Sequence, residues 1–191
     1  MTSYDDGMTE RPYHHGDLKN ALLAAAVEAI AQHGPAALSL RDLARRAGVS
    51  HAAPAHHFGD KAGLLTELAT EGYDLMAEAV RSAGPDLVEA GVGYVRFAVE
   101  HRSHFEVMFQ PALLHPDDPG LVAARARADA ALSAALAASR PERAEQREAK
   151  LAAWSLAHGF AALWVNGAMP DLVDRDPAGV ARPVLRNLFG G

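Results

Sequence analysis

The stretch Ser39–Lys61, SLRDLARRAGVSHAAPAHHFGDK, constrains this chain more than any other. Ser39 is a hydroxyl residue suited to cap a helix, and Leu40, Leu43, Ala44 and Ala47 follow it at helical spacing. Gly48 ends that helix, since glycine enters the left-handed backbone region without a Cβ clash. Val49 then tucks inward, and Ser50 is expected to cap a second short helix running to about Phe58. Two short helices joined by a glycine-containing turn describe a helix-turn-helix, whose second helix is sized for the DNA major groove. Asp60 is expected to cap a third, longer helix that leaves the unit and runs to about Ser82.

The rest of the composition agrees with an all-α chain. The 191 residues are 49% hydrophobic but only 6% aromatic; alanine is abundant and β-branched residues are few, which favours helices over strands. There is no cysteine, so disulfides and thiolate metal sites are excluded. With no basic-then-apolar leader and no apolar run near the ~18 residues that span a bilayer, a soluble, cytoplasmic protein is expected, on the nucleoid when bound to DNA. The net charge of −6 runs against a basic DNA-binding footprint. Between Tyr13 and Lys61, however, five basic residues face four acidic ones, and six histidines lie in the same segment. Binding there depends on a few placed contacts rather than on a broad positive field.

Three regions are expected. Residues 1–12 are polar and aperiodic and read as a disordered tail. Residues 13–60 form the helix-turn-helix domain, its first helix capped by Asp17, striped by Leu18, Leu22, Ala26 and Ile30, and stopped at His33-Gly34-Pro35. Residues 61–191 form a helical body, with further helices over 86–101, 102–109 and 121–139, a loop over 110–120, a long helix entered through Pro141, and a last helix over 180–189.

The segments AAAVEAIAQHG, SLRDLARRAGVS and HHFGDKAGLL between Leu22 and Leu65, in that order and spacing, resemble the DNA-binding domain of the TetR family of bacterial transcriptional regulators. The run WSLAHGFAALWVNG resembles a C-terminal signature, W-x3-HG, of one branch of that family. The resemblance implies a three-helix DNA-binding head and a C-terminal helical bundle for ligand binding and dimerisation, with two helices from each subunit forming a four-helix bundle. One position departs from the family pattern: Ala55 stands where a tyrosine commonly reaches a phosphate, and His56 or His57 is the available substitute.

In the head, Ser50, His51, Ala52 and His56 are candidates for base edges, and Ser39, Arg41, His57 and Lys61 for phosphates. His56 and His57 point about 100° apart on a helix, so one packs inward while the other faces the groove. In the body, Tyr94, Phe97, Phe105, Met108, Phe109, Trp154, His158 and Trp164 are candidate contacts for a small, largely apolar effector, with His158 the best polar group. Phe160, Ala161, Leu188 and Phe189 are candidates for a homodimer interface. His101 and His104 have metal-compatible spacing, but only Glu100 and Glu106 adjoin them, and neither metal nor cofactor is expected. No nucleophile elbow or glycine-rich phosphate loop suggests an enzyme. The expectation is a ligand-responsive repressor that binds a pseudo-palindromic operator as a homodimer. Its rival is a helical small-molecule-binding or enzymatic protein whose head has lost specific DNA binding, which Pro54, Ala55 and the acidic charge would favour.

Overall fold

A computed structural model describes residues 15–172 and 174–189, without the side chains of 15–17, 188 and 189. The expected tail, residues 1–12, lies outside the described residues. Every regular element among those described is helical: α1 (His15–His33), α2 (Leu40–Ala47), α3 (Ala53–Phe58), α4 (Lys61–Ser82), α5 (Leu87–Glu100), α6 (Arg102–Met108), α7 (Pro119–Ser139), α8 (Arg147–Val165) and α9 (Pro177–Phe189). None of them is long and apolar enough to cross a membrane.

Local chemistry explains most of the boundaries. Asp60 and Asp86 hold extended backbone at the starts of α4 and α5, and each carboxylate accepts an amide of the first turn, Gly63 at 2.7 Å and Glu89 at 3.0 Å. Gly48 follows α2 at φ 68°, and the Gly48 and Val49 amides turn back onto the carbonyls of Arg45 and Ala44. Ser39 occupies the cap position of α2 with extended backbone, yet its hydroxyl accepts no helical amide.

Five helix starts differ from expectation, including α9, which begins at Pro177 and not at 180. α1 begins at His15, two residues ahead of Asp17. α3 begins at Ala53 instead of just after Ser50, whose carbonyl closes a turn with the Ala53 amide at 3.0 Å. Pro54 is the reason: with no N–H to give, it fits the first helical turn, where no intrahelical bond is lost. α7 starts at Pro119, because Asp118 caps it by accepting the Leu121 amide at 3.0 Å. The long helix expected from Pro141 is split into a 3₁₀ turn, Pro141–Arg143, and α8 from Arg147. The residues between are mostly exposed, so no packing offsets the cost of ordering another helical turn there.

α1–α3 form the head. α4 leaves it and packs along α7 and α5, while α5 lies against α8 and α9. α4 and α5 approach so closely at Gly93 that a Cβ there would sit 2.5 Å from the Ala79 carbonyl oxygen. One core runs through both parts, from Leu22 and Ile30 in the head through Leu65 and Phe97 to Leu185.

Candidate nucleic-acid interface and internal cavity

The head buries one face of each short helix. Leu22, Ala26 and Ile30 of α1 meet Leu43 and Ala44 of α2, with Phe58 of α3 beneath. The opposite surface carries the expected contacts: Arg41, Ser50, His51, Ala52 and His56 are exposed, and Ser39, His57 and Lys61 are half-buried. The two adjacent histidines, their ring centroids 5.6 Å apart, differ in exposure. His57 leans on the Phe58 ring, centroids 6.1 Å apart, while His56 points outward. Lys61 has a tie that no sequence pattern suggested: its Nζ donates to the Ala36 carbonyl at 2.6 Å, joining the start of α4 to the loop between α1 and α2.

Polar contacts also join head and body, among them the Lys19–Glu67 ion pair between α1 and α4 at 3.0 Å. Ser103 Oγ of α6 donates to the Val27 carbonyl of α1 at 2.9 Å. The loop after α6 reaches the start of α4, where the His115 amide donates to Thr66 Oγ1 at 2.9 Å and His115 Nε2 lies 3.1 Å from Asp60 Oδ1. The Gly63 amide, and after it His115, hold the Asp60 carboxyl below the usual aspartate value. Beside Ser103, His104 is buried, with Nε2 at 3.4 Å from Glu71 and Nδ1 without a partner. Burial pushes its pKa down. His104 and His101 stand 5.8 Å apart between ring centroids, but His101 stacks on Phe97; among the described residues no group of three or more His, Asp or Glu could hold a metal ion.

In the body, a cavity of about 280 Å³ opens between α4, α5, α7 and α8. α4 supplies Tyr73, Met76 and Val80, and α5 supplies Leu87, Ala90, Gly91 and Tyr94. Phe109, just past α6, closes one side. α7 contributes Arg125, Ala128, Asp129 and Leu132 at helical spacing, and α8 contributes Lys150, Leu151, Ala153, Trp154 and Ala157. The inner wall is buried, whereas Leu151 and Trp154 are 43% and 39% exposed and mark the open side. Lys150 Nζ reaches across to both oxygens of Asp129, at 2.7 and 2.9 Å, bridging α8 to α7.

Of the eight expected ligand contacts, Tyr94, Phe109 and Trp154 line this space. The others lie outside its lining. His158 stands behind the lining within 2.8 Å of the Tyr94 hydroxyl through Nδ1, with the Phe109 and Phe105 ring centroids 4.4 and 5.3 Å away. Burial pushes the His158 pKa down and the Tyr94 hydroxyl up. Phe97 and Met108 are closed inside the core, Met108 toward Gly72. Trp164 stacks on Phe160, about 15 Å along α8 from Trp154. Phe160 and Ala161 are 7% and 0% exposed within the single chain, so they belong to its own core, while Leu163 and Val184 face outward. The side chains of Leu188 and Phe189 lie outside the described residues.

Both halves of this arrangement match known proteins. Residues 22–68 match the family of bacterial regulatory proteins of the tetR type, and residues 87–188, more than half of the chain, match the tetracyclin repressor-like C-terminal domain. The chain belongs to the TetR family. The HTH-type transcriptional regulator BetI of Agrobacterium fabrum is 36% identical over 84 residues, a match that spans 41% of each chain. Among solved structures, a protein of unknown function from Rhodococcus sp. RHA1 superposes with a TM-score of 0.75 at 28% identity, covering 95% of this chain and 98% of that one. The TetR-family regulator PfmR from Thermus thermophilus shares the fold, with a TM-score of 0.69 at 24% identity over 89% and 97% of the two chains. This TetR-family member is a DNA-binding transcriptional regulator, and the rival reading of a head that has lost DNA binding is not favoured.

Proposed function

We propose that the protein is a ligand-responsive repressor which binds a pseudo-palindromic operator as a homodimer and is released when a small, largely apolar molecule enters the body cavity. It binds its effector rather than transforming it. One observation carries the reading: α4 runs uninterrupted from the Asp60 cap, directly after α3, to the cavity wall at Tyr73, Met76 and Val80. A helix of 22 residues, about 33 Å long, therefore has one end in the head and its C-terminal half against the effector. The loop from Phe109 to His115 makes a second link between the same two places. A ligand shifts DNA affinity only by the difference in its affinity for the two arrangements of these elements.

In this reading His51, Ala52 and His56 approach base edges together with Ser50, while Arg41 and Ser39 meet phosphates with His57. Lys61 spends one of its three N–H groups on Ala36 and has others to offer a phosphate near the start of α4. Dimerisation uses the outer faces of α8 and α9. There Leu163 is 51% exposed, Val184 is 38% exposed, and a Cβ on Gly159 would meet nothing within 4 Å. That relief leaves room for the side chains of a second copy to interdigitate.

The test is binding of the purified protein to the DNA upstream of its own coding region, against scrambled competitor, at two salt concentrations. Specific binding at nanomolar protein, weakened by salt and at a stoichiometry of two chains per site, is expected. Equal affinity for the scrambled DNA, there and in a selection of bound fragments from the whole genome, would overturn the reading.

A further inference from the structure

We infer that the effector is a hydrophobic monocarboxylate, its apolar body among the rings of the cavity and its carboxylate on Arg125. This assignment rests on the reading of the cavity as the effector site. The two tyrosine hydroxyls of the lining already have partners: that of Tyr94 lies 2.8 Å from His158 Nδ1, and that of Tyr73 donates to the Met108 carbonyl at 3.3 Å. What remains inside is aromatic and aliphatic surface, with Tyr73, Tyr94, Phe109 and Trp154 supplying four rings.

The charged lining is confined to α7 and α8, and it is unbalanced. Asp129 is held at short range by Lys150, so that pair is internally neutral. Arg125, one turn before Asp129 on the same face of α7, has no carboxylate partner among the described residues. Its guanidinium lies 5.6 Å from the Tyr73 ring centroid, and its one hydrogen bond, to the Pro116 carbonyl, is long at 3.4 Å. A planar fork with most of its N–H groups unspent, beside an aromatic wall, is suited to bidentate pairing with a carboxylate. A cationic ligand would instead meet Arg125 and Lys150 together, and a neutral one would leave the guanidinium without a partner. The volume of about 280 Å³ is at the small end of the range for small-molecule sites, which favours a compact, ring-bearing acid over a long chain.

The experiment compares 1-naphthylacetate, its neutral amide of the same shape, and the trimethylammonium derivative of 1-naphthylmethylamine, by calorimetry on the full chain. The carboxylate is expected to bind at least about tenfold tighter than the amide, with the cation weakest. In Arg125→Gln the advantage of carboxylate over amide should collapse to near unity, and Arg125→Lys should keep part of it. Equal binding of acid and amide, preference for the cation, or a preference for acid that survives Arg125→Gln would overturn the assignment and leave the cavity reading standing. Failure of all three to bind would overturn both.

Discussion

In the head, three helices close over Leu22, Ile30, Leu43 and Phe58 and leave the residues proposed to meet DNA, His51 and His56 among them, on the outside. In the body, four helices and the segment after α6 hold Tyr73, Phe109 and Trp154 around an internal space. The head therefore reaches its partner without disturbing its packing. The body gives up dense packing at its centre, where side-chain contacts would otherwise add stability. The regulator depends on joining these two designs, since its core is continuous from α1 to α9.

The largest effect expected on that comparison comes from Gly93. A side chain there meets the Ala79 carbonyl of α4, which is backbone and cannot move aside. Gly93→Val should force α4 and α5 apart and lower stability by about 1–3 kcal/mol or more. Because the core is continuous, thermal unfolding of both the variant and the parent should show one transition, with operator binding lost along with the body. Two transitions in calorimetry would break the comparison and make head and body independent modules.

The two regions also differ in how far they could be read from residues alone. The head was legible because its determinants are local: the Asp60 cap, Gly48 at the turn, and the spacing of Leu43 and Ala44 each act within one helical turn of themselves. Even there, Ser50 as a cap was misplaced, since the pull of Pro54 toward the first turn is stronger than a serine's capping preference. The cavity was legible only through its large rings. Tyr94, Phe109 and Trp154 stood out as aromatic, but nothing local separates them from Phe97 or Phe105, which lie one layer deeper. Arg125, Asp129 and Lys150 were missed because their meaning lies in α7 facing α8. The i, i+4 spacing of Arg125 and Asp129 was the available signal. The ties of Lys61 to Ala36 and of His115 to Asp60 join residues 25 and 55 positions apart, beyond any periodicity.

Lys61 sharpens the comparison at intermediate size, because it serves the outside of the head and its internal bracing at once. Lys61→Ala should weaken specific and non-specific DNA alike and reduce the slope of log affinity against log salt by about one per subunit. Binding of 1-naphthylacetate in the body should stay within about twofold. If the salt slope is unchanged while thermal stability falls, the lysine acts through Ala36 alone and the phosphate assignment is wrong.

The smallest effect is a pH dependence located at the seam. His104 sits on α6 beside Ser103, which holds the α1 carbonyl, so it reports on the place where head meets body. Burial disfavours its charged form and lowers its pKa from 6.5, against an opposing pull from Glu71 on α4 and reinforced by His101 at the junction of α5 and α6. The unfolded chain then takes up this proton more readily than the folded one. Its contribution to stability is complete above about pH 6.5 and is lost as the pH falls from there through the lower folded-state value. His158 adds a loss of the same sign from within the body. The lowered carboxyls of Asp60 and Glu89 act only in the more acidic window below their ordinary values of 3.8 and 4.5, and do not obscure it. Melting temperature measured from pH 7.5 to pH 5 should thus decline, and His104→Gln should decline less steeply while retaining the part due to His158. A melting temperature that rises on acidification, and stops rising in the variant, would mean that the pairing with Glu71 outweighs burial and that protonation tightens the seam.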